Sequence, residues 1–275
     1  MKARIDIVLI ILISVLVLSC QEQQKKEAEA MPSQTSITAK DILGNPKYRA
    51  ISYGGYRQNS RDIQPTVAEL KEDMRLIHAM GIRLIRTYNV KLAHASNVLK
   101  AISEIKQEDP SFEMYVMLGA WIDCKYAWTG QEPDHNQESE ENEAEIARAA
   151  ALANQYPDII KIIAVGNEAM VKWAATYFVQ PGVILKWVNH LQSLKAEGKL
   201  SKDLWITSSD NFASWGGGAA EYHVDDLNGL IRAVDYISMH TYPMHDTHYN
   251  PAFWGLLPEE QELSKEEQVE ASMQR

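Results

Sequence analysis

Between Arg49 and Met239 six short apolar runs alternate with five amphipathic stretches, and this alternation limits the fold more than any other feature of the chain. The runs are Arg49 to Tyr53, Ile82 to Thr87, Met114 to Ala120, Ile159 to Val165, Leu204 to Ser208 and Val234 to Met239. They are rich in Ile and Val on both faces, as expected of parallel strands covered by helices on each side. Between them lie helices predicted at Pro65 to Met80, Ala93 to Gln107, Glu141 to Gln155, Pro181 to Glu197 and, shorter, near Val224 to Ile231. In the first, Val67, Leu70, Met74 and Ile77 recur at helical spacing and Gly81 ends the pattern. A long polar loop separates the third strand from its helix. Six such units with long loops after the strands fit an α/β fold of the TIM (β/α)8 type better than an open sheet, with about six units present. No Gly-x-Gly-x-x-Gly follows the first strand, which argues against a dinucleotide-binding sheet.

The ends of the chain read differently. Lys2 and Arg4 precede an apolar run from Ile7 to Leu18, then Leu18-Ser19-Cys20. This is an export signal, too short to cross a bilayer stably, and its last residues resemble a bacterial lipobox with Cys20 as the lipidated residue. Residues 1–19 are therefore expected to be a lipoprotein signal peptide, and 20–45 a flexible tether rich in Gln, Glu, Lys and Ser. Residues 46–275 form the barrel, expected to be incomplete: 258–275 begins as a helix bearing Leu263, Val269 and Met273, with no seventh or eighth strand after it. The protein is expected to be exported and lipid-anchored in the bacterial cell envelope, with Gln21 after Cys20 favouring the outer membrane, and to act as a monomer. Beyond Cys20 only Cys124 remains, so no intrachain disulfide is expected. A net charge of −10 argues against a nucleic-acid partner.

In a barrel of this type the site lies at the C-terminal ends of the strands. Those ends carry Tyr53, then Arg86, Tyr88 and Asn89, Trp121 and Asp123, Asn167 and Glu168, Ser209, Asp210 and Asn211, and His240, Tyr242 and Pro243. Aromatic faces, amides and carboxylates without a basic cluster describe a sugar site better than a phosphate site.

Three segments, SYGGYR after the first strand, IRTYN after the second and AVGNEA on the fourth, together with His-x-Tyr-Pro at 240–243, resemble glycoside hydrolase family 17 in order and spacing. That family comprises β-1,3-glucanases and glucosyltransferases with glutamates on strands four and seven. His240 departs from the asparagine usual in plant-type members. The resemblance implies a retaining reaction on β-glucan with Glu168 as general acid/base, Asn167 on the sugar 2-hydroxyl, Tyr242 near the nucleophile and Trp121 as a stacking face. Tyr53, Arg86, Tyr88, Asp210 and His240 complete the expected substrate contacts. It also implies a carboxyl with a raised pKa at 168, and a nucleophile on a strand that the chain does not reach.

Other readings of the same residues stay open at this stage. Glu168 could cap the following helix or pair with Lys172, and Trp121, Trp128, Trp173 and Trp215 include packing residues. A surface lipoprotein that holds glycan without cutting it is one alternative. A metal hydrolase using His240, His245, Asp246 and His248 is another, disfavoured because the first strand ends in Tyr-Gly-Gly-Tyr and not in a His-x-His. No cofactor and no metal is expected.

Overall fold

A computed structural model of the protein describes residues 37–217, 220–242 and 257–274. Cys20, the export signal, Pro243, His245, Asp246 and His248 lie outside the described residues.

Six parallel strands form one sheet in chain order: β1 (Arg49–Ser52), β2 (Ile82–Arg86), β3 (Tyr115–Ala120), β6 (Ile160–Asn167), β7 (Trp205–Asn211) and β8 (Ser238–His240). Each strand pairs with the next, and helices make the crossovers: α2 (Val67–Ala79), α3 (Ala93–Glu108), α4 (Glu141–Gln155), α5 (Pro181–Ala196) and α6 (Asp225–Ala233). The α/β architecture is the one expected. Along β3 the residues alternate. Val116, Leu118 and Ala120 join the apolar layer under the helices, whereas Tyr115 and Met117 are buried without joining it, on the other face.

Two contacts show that the sheet curls. Arg86 at the end of β2 donates to Asn167 at the end of β6, although β3 lies between them. The Tyr236 hydroxyl, just before β8, reaches Met117 Sδ on β3 at 3.5 Å, past both β6 and β7. Such contacts require a concave inner face, the geometry of a partial barrel.

Several details differ from expectation, among them the last strand of the sheet, which begins at Ser238 and not at Val234, and the fifth, which runs on to Asn211. The long polar loop after β3 contains an antiparallel hairpin, β4 (Cys124–Lys125) with β5 (Asp134–Glu138). The tether drawn to residue 45 extends too far, because α1 (Ala39–Ile42) buries Ala39 and Ile42 behind a Thr38–Asp41 capping box. The first large helix starts at Val67 and not at Pro65, since Thr66 accepts from the Glu69 backbone N–H while the Glu69 carboxylate accepts from Thr66 N at 2.8 Å. At the C-terminal end, α7 (Lys265–Gln274) carries the helix anticipated there.

Candidate active site

The stretch Val165-Gly166-Asn167-Glu168 ends β6 in a bulge. Ala164 pairs with Thr207 and Asn167 with Ser209, so Val165 and Gly166 together oppose the single residue Ser208. Gly166 has φ of 81°, and a Cβ there would stand 2.9 Å from Ala169 Cβ and 3.1 Å from Ile184 Cδ1 of α5. The glycine thus faces the helix layer, as Val165 before it does. The extra residue resets the alternation and turns Asn167 to the concave side, where Arg86 meets it. Glu168 follows with φ of 48°, a left-handed conformation that a non-glycine residue adopts at a cost of about 1–3 kcal/mol. Its N–H donates to Ser209 O at 2.8 Å, which fixes the turn to β7.

Four side chains from β2, β6 and β8 converge here. Arg86 donates to the Asn167 side-chain oxygen, which orients the amide and leaves its NH2 group free to donate to a ligand. The Arg86 guanidinium lies 5.1 Å from the centre of the Tyr88 ring, and its Nε has no partner. His240 bridges two groups: Nδ1 is 2.9 Å from Glu168 Oε1, and Nε2 is 2.8 Å from Ser209 Oγ, which in turn is 3.0 Å from Ser238 Oγ. Tyr242 sets its ring edge-on to His240 with centres 6.5 Å apart. Lys172 is not the partner of Glu168; its ammonium bonds the Glu221 backbone oxygen at 3.1 Å.

The electrostatics run against one expectation. The hydrogen bond from His240, helped by the charges of His240 and Arg86, holds the Glu168 carboxyl below the usual glutamate range, against the opposing effect of burial. An acid catalyst needs the proton that this environment disfavours. Any upward shift must therefore come from groups added to the cleft, such as a second carboxylate or a sugar that excludes water.

Two expected sugar contacts sit elsewhere. Tyr53 is buried under α2, its hydroxyl donating to Asp73 Oδ2 at 2.5 Å, so it serves the helix layer and does not reach the cleft. Asp210 is fully buried, and its carboxylate accepts from Met170 N at 2.7 Å and from Asn211 N at 2.9 Å. Burial pushes its pKa up to about 6, and it is a loop-holding group behind the strand ends. Trp121 is placed as expected at the end of β3, but it does not stand alone. Its ring centre lies 5.1 Å from Tyr177 and 6.3 Å from Trp128. Tyr177 was not anticipated, because it falls in no motif; Ser209, expected at the end of the fifth strand, is carried by β7 to Glu168, from whose N–H its carbonyl accepts. Among the described residues, no group of three or more His, Cys, Asp or Glu side chains is placed to hold a metal ion.

The chain is similar to a solved endo-laminarinase. That enzyme, from Formosa Hel1_33_131, superposes with a TM-score of 0.82 at 70% sequence identity over 86% of this chain. The chain spans 61% of that enzyme's length. A β-1,3-glucanase and allergen of Cryptomeria japonica pollen superposes more loosely, with a TM-score of 0.48 at 14% identity, covering 77% of this chain and 62% of the other. No protein-family model and no curated protein matches the chain. The laminarinase likeness covers the fold described above, a partial (β/α) barrel with its polar residues gathered at the strand ends.

Proposed function

We propose that this protein hydrolyses β-1,3-glucan by the retaining route, as a member of the glycoside hydrolase family 17 kind, with Glu168 as general acid/base. The observation that carries this reading is the bulged end of β6. It spends a glycine and a left-handed glutamate to aim Asn167 and Glu168 into a cleft between Arg86 and His240, in a chain 70% identical to an endo-laminarinase. In the first step Glu168 gives its proton to the glycosidic oxygen while a nucleophilic carboxylate attacks the anomeric carbon. In the second, Glu168 takes a proton from water, and the water oxygen displaces that carboxylate. The Asn167 NH2 group is positioned to donate to the sugar 2-hydroxyl. Asp210, the carboxylate on the neighbouring strand, is buried and engaged by backbone, so the nucleophile is to be sought outside the described residues.

The discriminating experiment is a linkage panel on the native gene product. Reducing-end release from β-1,3-glucan, with none from β-1,4-glucan, is the expected result. Binding without release from any glucan would replace hydrolysis with glycan capture.

The same reading places the protein in the cell envelope, anchored by a lipid on Cys20. Replacing Cys20 by Ser is expected to move it from the membrane fraction to the soluble one; unchanged fractionation would remove the anchor from the account.

A further inference from the structure

The β4–β5 hairpin carries an open aromatic face whose construction neither the acid/base site nor the core requires. Trp128 is 61% exposed, one face stacked on Tyr177 with ring centres 5.2 Å apart and planes 20° from parallel. Trp121 closes the group from below, tilted 46° to Tyr177 and 44° to Trp128. The backbone reaches this arrangement through two left-handed non-glycine residues, Tyr126 at φ of 66° and Trp128 at 61°. Such conformations persist only where the surroundings impose them.

The surroundings here are specific. Asp123 accepts from the Trp121 indole N–H at 3.3 Å, which fixes the orientation of the ring beneath Trp128. The hairpin is clamped to the segment that supplies Tyr177: Cys124 N donates to Tyr177 O at 3.1 Å, and His135 stacks on Phe178 at 3.6 Å with Nδ1 2.8 Å from the Phe178 carbonyl oxygen. At its far end, Glu138 accepts from the Trp187 indole at 2.6 Å and pairs with Lys186, both on α5. A large indole fixed in this way and left open to water is preorganised for a flat apolar partner. β3 pairs with β6 up to Ala120 opposite Val165, so Trp121 leaves the sheet beside the turn that carries Asn167 and Glu168, and the aromatic face adjoins the acid/base site.

We infer that Trp128, stacked on Tyr177 and packed against Trp121, is a sugar-stacking subsite that takes a glucosyl ring of the same β-glucan chain, adjacent to the residue cleaved at Glu168. This rests on the function proposed above. The apolar C–H face of a β-glucosyl ring lies flat on the indole, and its equatorial hydroxyls stay at the edge, in water.

The test is titration of a β-1,3-gluco-oligosaccharide of six residues into the full chain, read by calorimetry and by the indole N–H resonances. Trp128→Ala should raise Kd about tenfold, which is ~1.4 kcal/mol, while Trp128→Phe, keeping a ring, should lose less. Asp123→Asn, which weakens the acceptor that holds the Trp121 indole beneath Trp128, should fall between wild type and Trp128→Ala. The Trp128 N–H signal should shift on titration in the wild type. Asn167→Ala serves as the reference for binding at the acid/base site. If Asn167→Ala weakens binding and Trp128→Ala leaves Kd within twofold of wild type, the subsite is wrong and the functional reading stands. If wild type binds no β-glucan at all, both fall. A folded Trp128→Ala variant, checked by an unchanged far-ultraviolet spectrum, excludes collapse of the hairpin as the cause of a loss.

Discussion

His240 Nδ1 lies 2.9 Å from Glu168 Oε1, joining the ends of β8 and β6, with only 12% and 20% of the two side chains open to solvent. The contact has a definite sign. Glu168 is held below its ordinary range in the folded protein, first by this hydrogen bond. The stability it contributes is therefore fully present above the unfolded value of about 4.3 and is lost as pH falls through the lower folded value. Replacing His240 by Ala should raise the Glu168 pKa, seen as an upward shift in the midpoint of its carboxyl carbon resonance. It should also move the alkaline limb of the pH–activity profile of the native gene product upward, because the acid then keeps its proton to higher pH. A midpoint that does not move would show that His240 does not set the charge of Glu168.

Gly166 should be intolerant of any side chain. A left-handed alanine costs about 1–2 kcal/mol, and its Cβ would press on Ala169 Cβ at 2.9 Å. Gly166→Ala should lower Tm by roughly 2–4 °C for each kcal/mol lost, measured by thermal denaturation. Because the bulge aims Asn167, the variant should also lose oligosaccharide affinity. A variant as stable as wild type that binds normally would mean the bulge is not what directs the site.

Asp210 gives a pH signature of the opposite kind. Its pKa is raised by burial to about 6 from an unfolded value of about 3.9, so the folded state holds the proton more tightly. Stability conferred by protonated Asp210 is lost as pH rises from about 4 to about 6. His94, buried and held down to about 4, produces the reverse slope in the same window. The prediction is thus read as a difference: the Tm of Asp210→Asn minus that of wild type should rise across this window. Asp210→Ala, which strands the Met170 and Asn211 N–H groups, should lose about 1–3 kcal/mol at neutral pH.

The six strands and five crossover helices were legible because burial on both faces forces Ile and Val into runs such as Ile159 to Val165, and because Pro181 and Gly81 mark helix ends at the positions their backbones allow. The convergence of Arg86, Asn167, Glu168 and His240 was legible only as a set of strand ends; their actual contacts depend on a curl and a bulge that leave a single trace, Gly166. The β4–β5 hairpin was hidden, since Asp134–Glu138 (DHNQE) has no alternation and is held by the bonds of Glu138 to Trp187 and Lys186 of α5 instead of by apolar pairing. Tyr53 misled for a related reason. A tyrosine at a strand end satisfies the pattern of a sugar contact whether it points into the cleft or, as here, toward Asp73 on α2.

The central claim is that Glu168 is the proton donor to the glycosidic oxygen, and it is tested most directly by leaving-group dependence in Glu168→Ala of the native gene product. With β-1,3-glucan, whose leaving alkoxide needs a proton, kcat/KM should fall by about 10²–10⁴. With a dinitrophenyl β-1,3-gluco-oligosaccharide, whose leaving group needs none, formation of the glycosyl-enzyme should remain close to the wild-type rate and its breakdown should slow. Equal losses on both substrates in the first step, or no loss on β-1,3-glucan, would contradict the role assigned to Glu168.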